Sequence, residues 1–263
     1  MSKQPAFFIP HGGGPCFFME DPAGMWTGMA RFLERLPALL PEAPKAILVV
    51  SAHWETKGFA FTGAAKPGLL YDYYGFPPHT YALTYPAPGA PSLAARAASL
   101  LRTQGIDAFV DPDRDLDHGV FIPLKVAFPD AHIPVVEMSV EQSFDPALHL
   151  AAGQALTELR DEGVLILGSG MSFHNMRAYG DPRASPGARA FDDWLTETVQ
   201  SDAAERAERL SRWSEAPSAR FAHPLRQEEH LLPLLVAAGS GAGKGERIYN
   251  EEVLSTALSG YRF

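Results

Sequence analysis

The sequence predicts an α/β fold: a single domain over residues 1–263, with a mainly parallel central sheet flanked by helices on both faces. Three observations lead there. Short apolar runs rich in branched and aromatic residues recur between longer stretches whose apolar residues fall three and four apart. The runs are short and punctuated by Gly or Pro, as buried strands are. Runs and helical stretches succeed one another along the chain, the order that joins parallel neighbours by helical crossovers.

In chain order, residues 6–9 form the first strand, stopped by Pro10, and residues 25–40 carry helical spacing. Residues 46–50 form a second strand. Residues 63–91 differ, because Tyr71, Tyr73, Tyr74, Phe76, Tyr81 and Tyr85 stand there among prolines and glycines. This segment reads as a long ordered loop, either packed on the core or covering a substrate. Helix 91–104 opens on a proline at its start. Strand 134–139, helix 146–162, strand 164–167, helix 190–209 and helix 226–238 complete the series. Residues 181–187 and 212–218 read as surface connections. The glycine-rich run 239–245 has Lys244 without a Gly-Lys-Ser/Thr context, so it does not read as a phosphate-binding loop.

Composition narrows the class. A 46% hydrophobic and 20% charged chain of 263 residues can bury a sizeable core and is not built to be disordered. The net charge of −9 argues against a nucleic-acid or anionic-membrane surface, which would need clustered Lys and Arg. Cys16 alone permits neither an intrachain disulfide nor a cysteine-based zinc site, as expected in a reducing compartment. The early apolar run is cut short by Pro10, unlike a secretory signal, and no apolar stretch approaches the roughly 20 residues of a membrane span. A cytoplasmic protein, monomeric or a small homo-oligomer, acting on a small molecule is the expectation.

Nine histidines occur. His11 follows the first strand and opens His11-Gly12-Gly13-Gly14-Pro15, where glycines let backbone approach a ligand closely. His53 follows the second strand, in Ser51-Ala52-His53-Trp54-Glu55, and His174 follows the strand at 164–167, in Ser172-Phe173-His174-Asn175. Carboxyl ends of parallel strands line one crevice, so these three side chains can meet there. His118 sits beside Asp117, and His230 lies at the start of the last helix. A single histidine is more often a hydrogen-bonded structural residue; a group of them suits borderline metals, proton transfer, or both. His132 and His149 read as surface or helix-face residues, and His79 and His223 as loop residues that can border the crevice. Gly168-Ser169-Gly170 lacks the nucleophile-elbow spacing, His-Glu-X-X-His is absent, and Cys16 between Pro15 and Phe17 reads at least as well as a packed thiol as a nucleophile.

Six motifs in order carry a resemblance: His11-Gly-Gly-Gly-Pro; Ser51-Ala-His53-Trp-Glu; Tyr71-Asp-Tyr-Tyr-Gly-Phe-Pro with Tyr85-Pro-Ala-Pro-Gly; Leu116-Asp-His118-Gly; Gly168-Ser-Gly170 with Ser172-Phe-His174-Asn; and Glu229-His230-Leu-Leu-Pro-Leu. Together they resemble the class III extradiol ring-cleavage dioxygenases, in particular the DOPA 4,5-dioxygenase-like branch, from the N-terminus to about Gly239.

The resemblance implies an α/β domain holding one non-haem Fe(II), a catechol substrate that is DOPA-like or related, and O2 as co-substrate. It places His11 and His53 as metal ligands and His230 as the third, with Glu229 or Glu228 as the alternative. An all-histidine set also suits Zn(2+), which can then fill the isolated protein. His174 matches the family's base, a histidine that in some members also approaches the metal, and His118 its second catalytic histidine, an acid. Asp117 either keeps His118 protonated or caps a turn, and Glu55 or Asp117 can stand behind the ligands. Tyr74 and Tyr81 are the loop tyrosines expected to meet the substrate ring. The competing readings of the same histidines are a zinc-dependent hydrolase and a metal-binding protein without turnover.

Overall fold

The computed structural model describes residues 2–263. In chain order the elements are β1 (Ala6–Pro10), α1 (Thr27–Arg35), β2 (Ala46–Thr56), β3 (Phe59–Thr62), α2 (Pro91–Thr103), β4 (Ala108–Asp111), α3 (His118–Ala127), β5 (Val135–Glu141), α4 (Pro146–Ala155), α5 (Thr157–Asp161) and β6 (Val164–Gly170). They continue with α6 (Ser185–Gln200), α7 (Ala203–Ser211), α8 (Ala219–Ala222), α9 (Leu232–Gly239), β7 (Glu246–Val253) and β8 (Thr256–Arg262).

The eight strands among the described residues form one sheet, ordered β4-β3-β5-β2-β6-β1-β8-β7. The pairs β1/β6, β2/β6, β2/β5 and β3/β4 are parallel, while β3/β5, β1/β8 and β7/β8 are antiparallel. The central strands β1, β5 and β6 are buried along their whole length, the outcome their unbroken apolar runs predict when helices cover both faces. The mainly parallel α/β sheet is therefore the observed fold. No helix among the described residues is long and apolar enough to cross a membrane.

Several element boundaries differ from those expected, each for a local reason. The helix expected at 25–40 is α1 followed by a 3-10 turn at Leu36–Leu39, where Pro37 removes a helical donor. The stretch 190–209 is two helices, because Asp202 caps Ala204 and Glu205 and starts a new one; α6 also begins earlier, so 181–187 is not simply a connection. The stretch 146–162 divides at Leu156 into α4 and α5. Helix 226–238 is shortened to α9: residues 224–231 form turns, with Arg226 at φ 63°. Segment 212–218 is not a surface connection either, since Trp213 is buried against Phe191 and His223. His149 is fully buried rather than on the surface, its Nδ1 2.7 Å from the Asp145 carbonyl and its Nε2 3.0 Å from the Glu141 N–H. The 63–91 segment is a loop, ordered by a 3-10 turn at Pro78–Ala82 and by bridges from Leu69 to Leu116 and Gly89 to Val135.

Candidate metal centre

The neighbouring strands β2, β6 and β1 run parallel, so their carboxyl ends open on one side of the sheet. His11 is the residue after β1, and His174 follows β6 by four residues. His53 lies inside β2, which runs on to Thr56 rather than stopping at Val50. The β2/β5 register shifts between Val50 and Glu55, so the ladder opens beside His53, as irregular strands often do next to a site. His118 begins α3. His230 stands in the turn before α9.

Glycines let that turn approach the sheet. A Cβ on Gly170 would stand 2.2 Å from the His230 carbonyl oxygen, and one on Gly168 would stand 2.2 Å from that of Pro233. The Met171 N–H donates to the same His230 carbonyl at 3.0 Å. The Gly168-Ser-Gly170 motif thus has a packing cause: two missing side chains make room for the backbone that carries His230.

The five histidines meet. Donor nitrogens of His11, His53 and His230 lie within 4.8 Å of one another, with His11 Nε2 and His53 Nε2 3.3 Å apart. The His118 ring centroid is 3.9 Å from that of His53, and the His174 ring is stacked on His230 at 3.4 Å. His11, His118 and His230 are buried; His53 and His174 are partly exposed.

The outer nitrogens are held from behind. His11 Nδ1 is 3.1 Å from Ser169 Oγ, whose own hydrogen goes to the Gly119 carbonyl, so the hydroxyl accepts from Nδ1–H and leaves the His11 Nε2 lone pair free. His230 Nδ1 lies 2.8 Å from Glu229 Oε1. Glu229 also stands with His174 and His230 in a second set of possible ligand atoms within 4.8 Å of one another. Glu228 is paired with Arg220. His53 Nδ1 is 3.6 Å from Asp72 Oδ2.

Electrostatics favour neutral, ligand-ready imidazoles. Burial, reinforced by His53 and the other histidines, holds His11 far below its ordinary range, and burial with His174 does the same to His230. Burial and His118 bring His53 down to about 4. Nitrogen donors, neutral near pH 7 and backed by oxygen acceptors, match what a borderline divalent metal requires.

Asp117 does not contact the His118 ring or cap α3 through its side chain. It accepts from Ser51 Oγ at 2.8 Å and from Arg114 at 3.0 Å, beside buried Glu137. Burial and the Asp117 charge push the Glu137 carboxyl well up. Ser51 Oγ in turn accepts the His53 N–H at 3.2 Å, so Asp117 acts on the backbone of His53. The carboxylate on His118 is Asp72, which sequence reading missed; its only signal is its place inside Tyr71-Asp72-Tyr73. Glu55 is exposed and bonds to no histidine. Tyr74 is 90% exposed, and Tyr81 packs on buried Tyr73, whose ring meets His118 edge-on at 5.7 Å. His223 is buried against Ser172, His79 is exposed and bonds the Phe18 carbonyl, and Cys16 is buried with its thiol pushed up to about 12 by burial.

Known proteins share this architecture. Residues 5–261 match the catalytic LigB subunit of aromatic ring-opening dioxygenase. The chain is 40% identical to the dioxygenase tasH of Hapsidospora irregularis, over 99% of this chain and 86% of that protein. It is 38% identical to a 4,5-DOPA dioxygenase extradiol of Beta vulgaris, over 93% and 90%, and 34% identical to one of Escherichia coli, over 92% and 87%. A crystal structure of an uncharacterized Escherichia coli K12 protein superposes with a TM-score of 0.79 at 29% identity, covering 99% of both chains. On the match across nearly its whole length and these identities, the chain belongs to the LigB family of aromatic ring-opening dioxygenases, the class III extradiol enzymes.

Proposed function

We propose that residues 1–263 act as one catalytic domain, in a reducing, cytoplasmic setting, that opens the ring of a DOPA-like or related catechol with O2 at an Fe(II) centre. The observation that carries this reading is the convergence of His11, His53 and His230 with two further histidines on the same cluster. In this reading those three residues hold the metal. Iron(II) bound there would supply Lewis acidity toward the catechol oxygens and a redox-active centre through which the electron-rich ring reduces O2.

The remaining roles fall to side chains. His174 takes a catechol hydroxyl proton: its Nδ1 is buried, has no hydrogen-bond partner, and lies 3.5 Å from Glu229 Oε1, a carboxylate that stabilises the cation formed. His118, across the cluster, holds the proton returned to the opened product. Tyr73, edge-on to His118, and Tyr81 packed on it are the loop aromatics that flank the ring, while Tyr74 is exposed. The family match supports ring opening over the zinc-hydrolase reading of the same histidines.

The test is oxygen uptake by metal-stripped protein reloaded anaerobically with Fe(II), across a panel of catechols including DOPA. Uptake with a yellow ring-opened product, from iron-loaded protein only, is the expected result. No uptake by stoichiometrically loaded protein with any catechol overturns the reading.

A further inference from the structure

We propose that Asp72 is a positioning residue that locks the ring of His118, so that the aromatic loop carries part of the catalytic machinery rather than only covering it. The inference rests on the proposed role of His118.

One oxygen of Asp72 makes two contacts to the same residue. Oδ1 accepts the His118 main-chain N–H at 2.9 Å and lies 2.8 Å from His118 Nδ1. The first contact satisfies a donor that the start of α3 leaves without a helical partner, where Asp117 supplies no side-chain cap. The second assigns the ring proton: a carboxylate only accepts, so Nδ1 carries hydrogen and Nε2 is left as the working atom. With backbone and ring tied to one acceptor, χ1 and χ2 of His118 cannot turn without breaking a hydrogen bond. Oδ2 faces His53 Nδ1 at the longer distance of 3.6 Å.

Glu229 shows the opposite division. It is close to a proposed metal ligand, His230 at 2.8 Å, and distant from a proposed proton carrier, His174 at 3.5 Å. Each carboxylate thus bridges one ligand and one proton carrier, but Asp72 grips the carrier and Glu229 grips the ligand. Removing them should damage different quantities.

Asp72 also belongs to a rigid segment. Its neighbours anchor on the loop itself, Tyr71 to the Leu83 carbonyl at 2.5 Å and Tyr73 to that of Thr80 at 2.7 Å, and the Phe76 ring packs over Gly14. The loop cannot lift off without releasing His118.

Three measurements on Asp72→Asn, with Glu229→Gln alongside, decide the matter. Asp72→Asn is expected to bind Co(II) within about threefold of wild type and to keep KM, while kcat of the iron-loaded enzyme falls about 10–100-fold, the usual cost of losing an outer-shell partner. Glu229→Gln is expected to lose metal affinity instead. In a His118→Gln background, Asp72→Asn should cost no further kcat, because its effect passes through that ring. Histidine-selective 15N spectra of zinc-loaded protein should show a hydrogen-bonded His118 Nδ1–H that shifts in Asp72→Asn. Additive losses in the double variant, a metal defect matching that of Glu229→Gln, or an unmoved His118 signal would each overturn the proposal. The metal and 15N readouts need no turnover, so they stand even if no catechol proves to be a substrate.

Discussion

Ser169 accepts the Nδ1–H of His11 at 3.1 Å while donating its own hydrogen to the carbonyl of Gly119, the second residue of α3. A strand, a proposed metal ligand and the helix that presents His118 are thereby joined through one hydroxyl. Ser169→Ala leaves a buried imidazole N–H without an acceptor and frees the ring to turn. Metal affinity should fall about 10–100-fold, as measured by competition with a chromophoric chelator.

The division of the histidines gives a second expectation. His11→Ala and His53→Ala should lose stoichiometric metal, whereas His174→Ala should keep its metal and lose turnover, as read by metal analysis beside oxygen uptake. Full turnover in His11→Ala would remove it from the centre.

Gly170 sets the distance between β6 and the turn bearing His230. In Gly170→Ala the new methyl meets the His230 carbonyl, and overpacking of this kind costs about 1–3 kcal/mol. The expected signature is a lowered urea midpoint together with weaker metal binding. Lower stability with wild-type metal affinity would mean that the turn adjusts without moving the ring.

Metal exchange should separate binding from chemistry. Three neutral imidazoles bind zinc well, but zinc has no accessible redox change. Zinc-loaded protein should therefore melt near the iron-loaded temperature and consume no oxygen with any catechol. Oxygen uptake by the zinc form would contradict an Fe(II) requirement.

Stability should fall in mild acid. Burial holds His149 at about 4 and His223 at about 3, against 6.5 for a free imidazole. Below pH 6.5 the unfolded chain takes up protons that these folded rings refuse, so stability is lost as pH drops, by about 1.4 kcal/mol per pH unit per histidine until each folded pKa is reached. In urea titrations between pH 6.5 and 4.5, His149→Gln should lose stability less steeply than wild type by about that slope. Parallel curves would show that His149 is already charged in the folded state.

Much of the architecture was legible from local pattern. Residues 6–9, 46–50 and 164–167 are apolar because both faces of a central strand are covered, and they fall within observed strands, while 134–139 overlaps β5 from Val135 onward. Placement after such strands put His11 and His174 at the carboxyl edge without any knowledge of pairing. Elements at the sheet margin left weaker traces. β4 and β7 mix buried and exposed residues, and the C-terminal hairpin of β7 and β8 breaks the strand–helix alternation from which the fold class was read. α3 was hidden by Pro123 inside it, and His53 falls within β2 because that strand outruns its apolar core.

The sequence by itself determined which residue types the centre has and which strands would offer most of them, since strand burial and turn glycines are written locally. The tertiary structure alone decided the partners: Ser169 for His11, Glu229 rather than Glu228 behind His230, and Asp72 rather than adjacent Asp117 on His118. Those choices depend on where a loop 46 residues away in sequence comes to rest and on which way a carboxylate turns. Hydrogen bonds act over about 3 Å in space with no regard to chain separation, so no local pattern can record them.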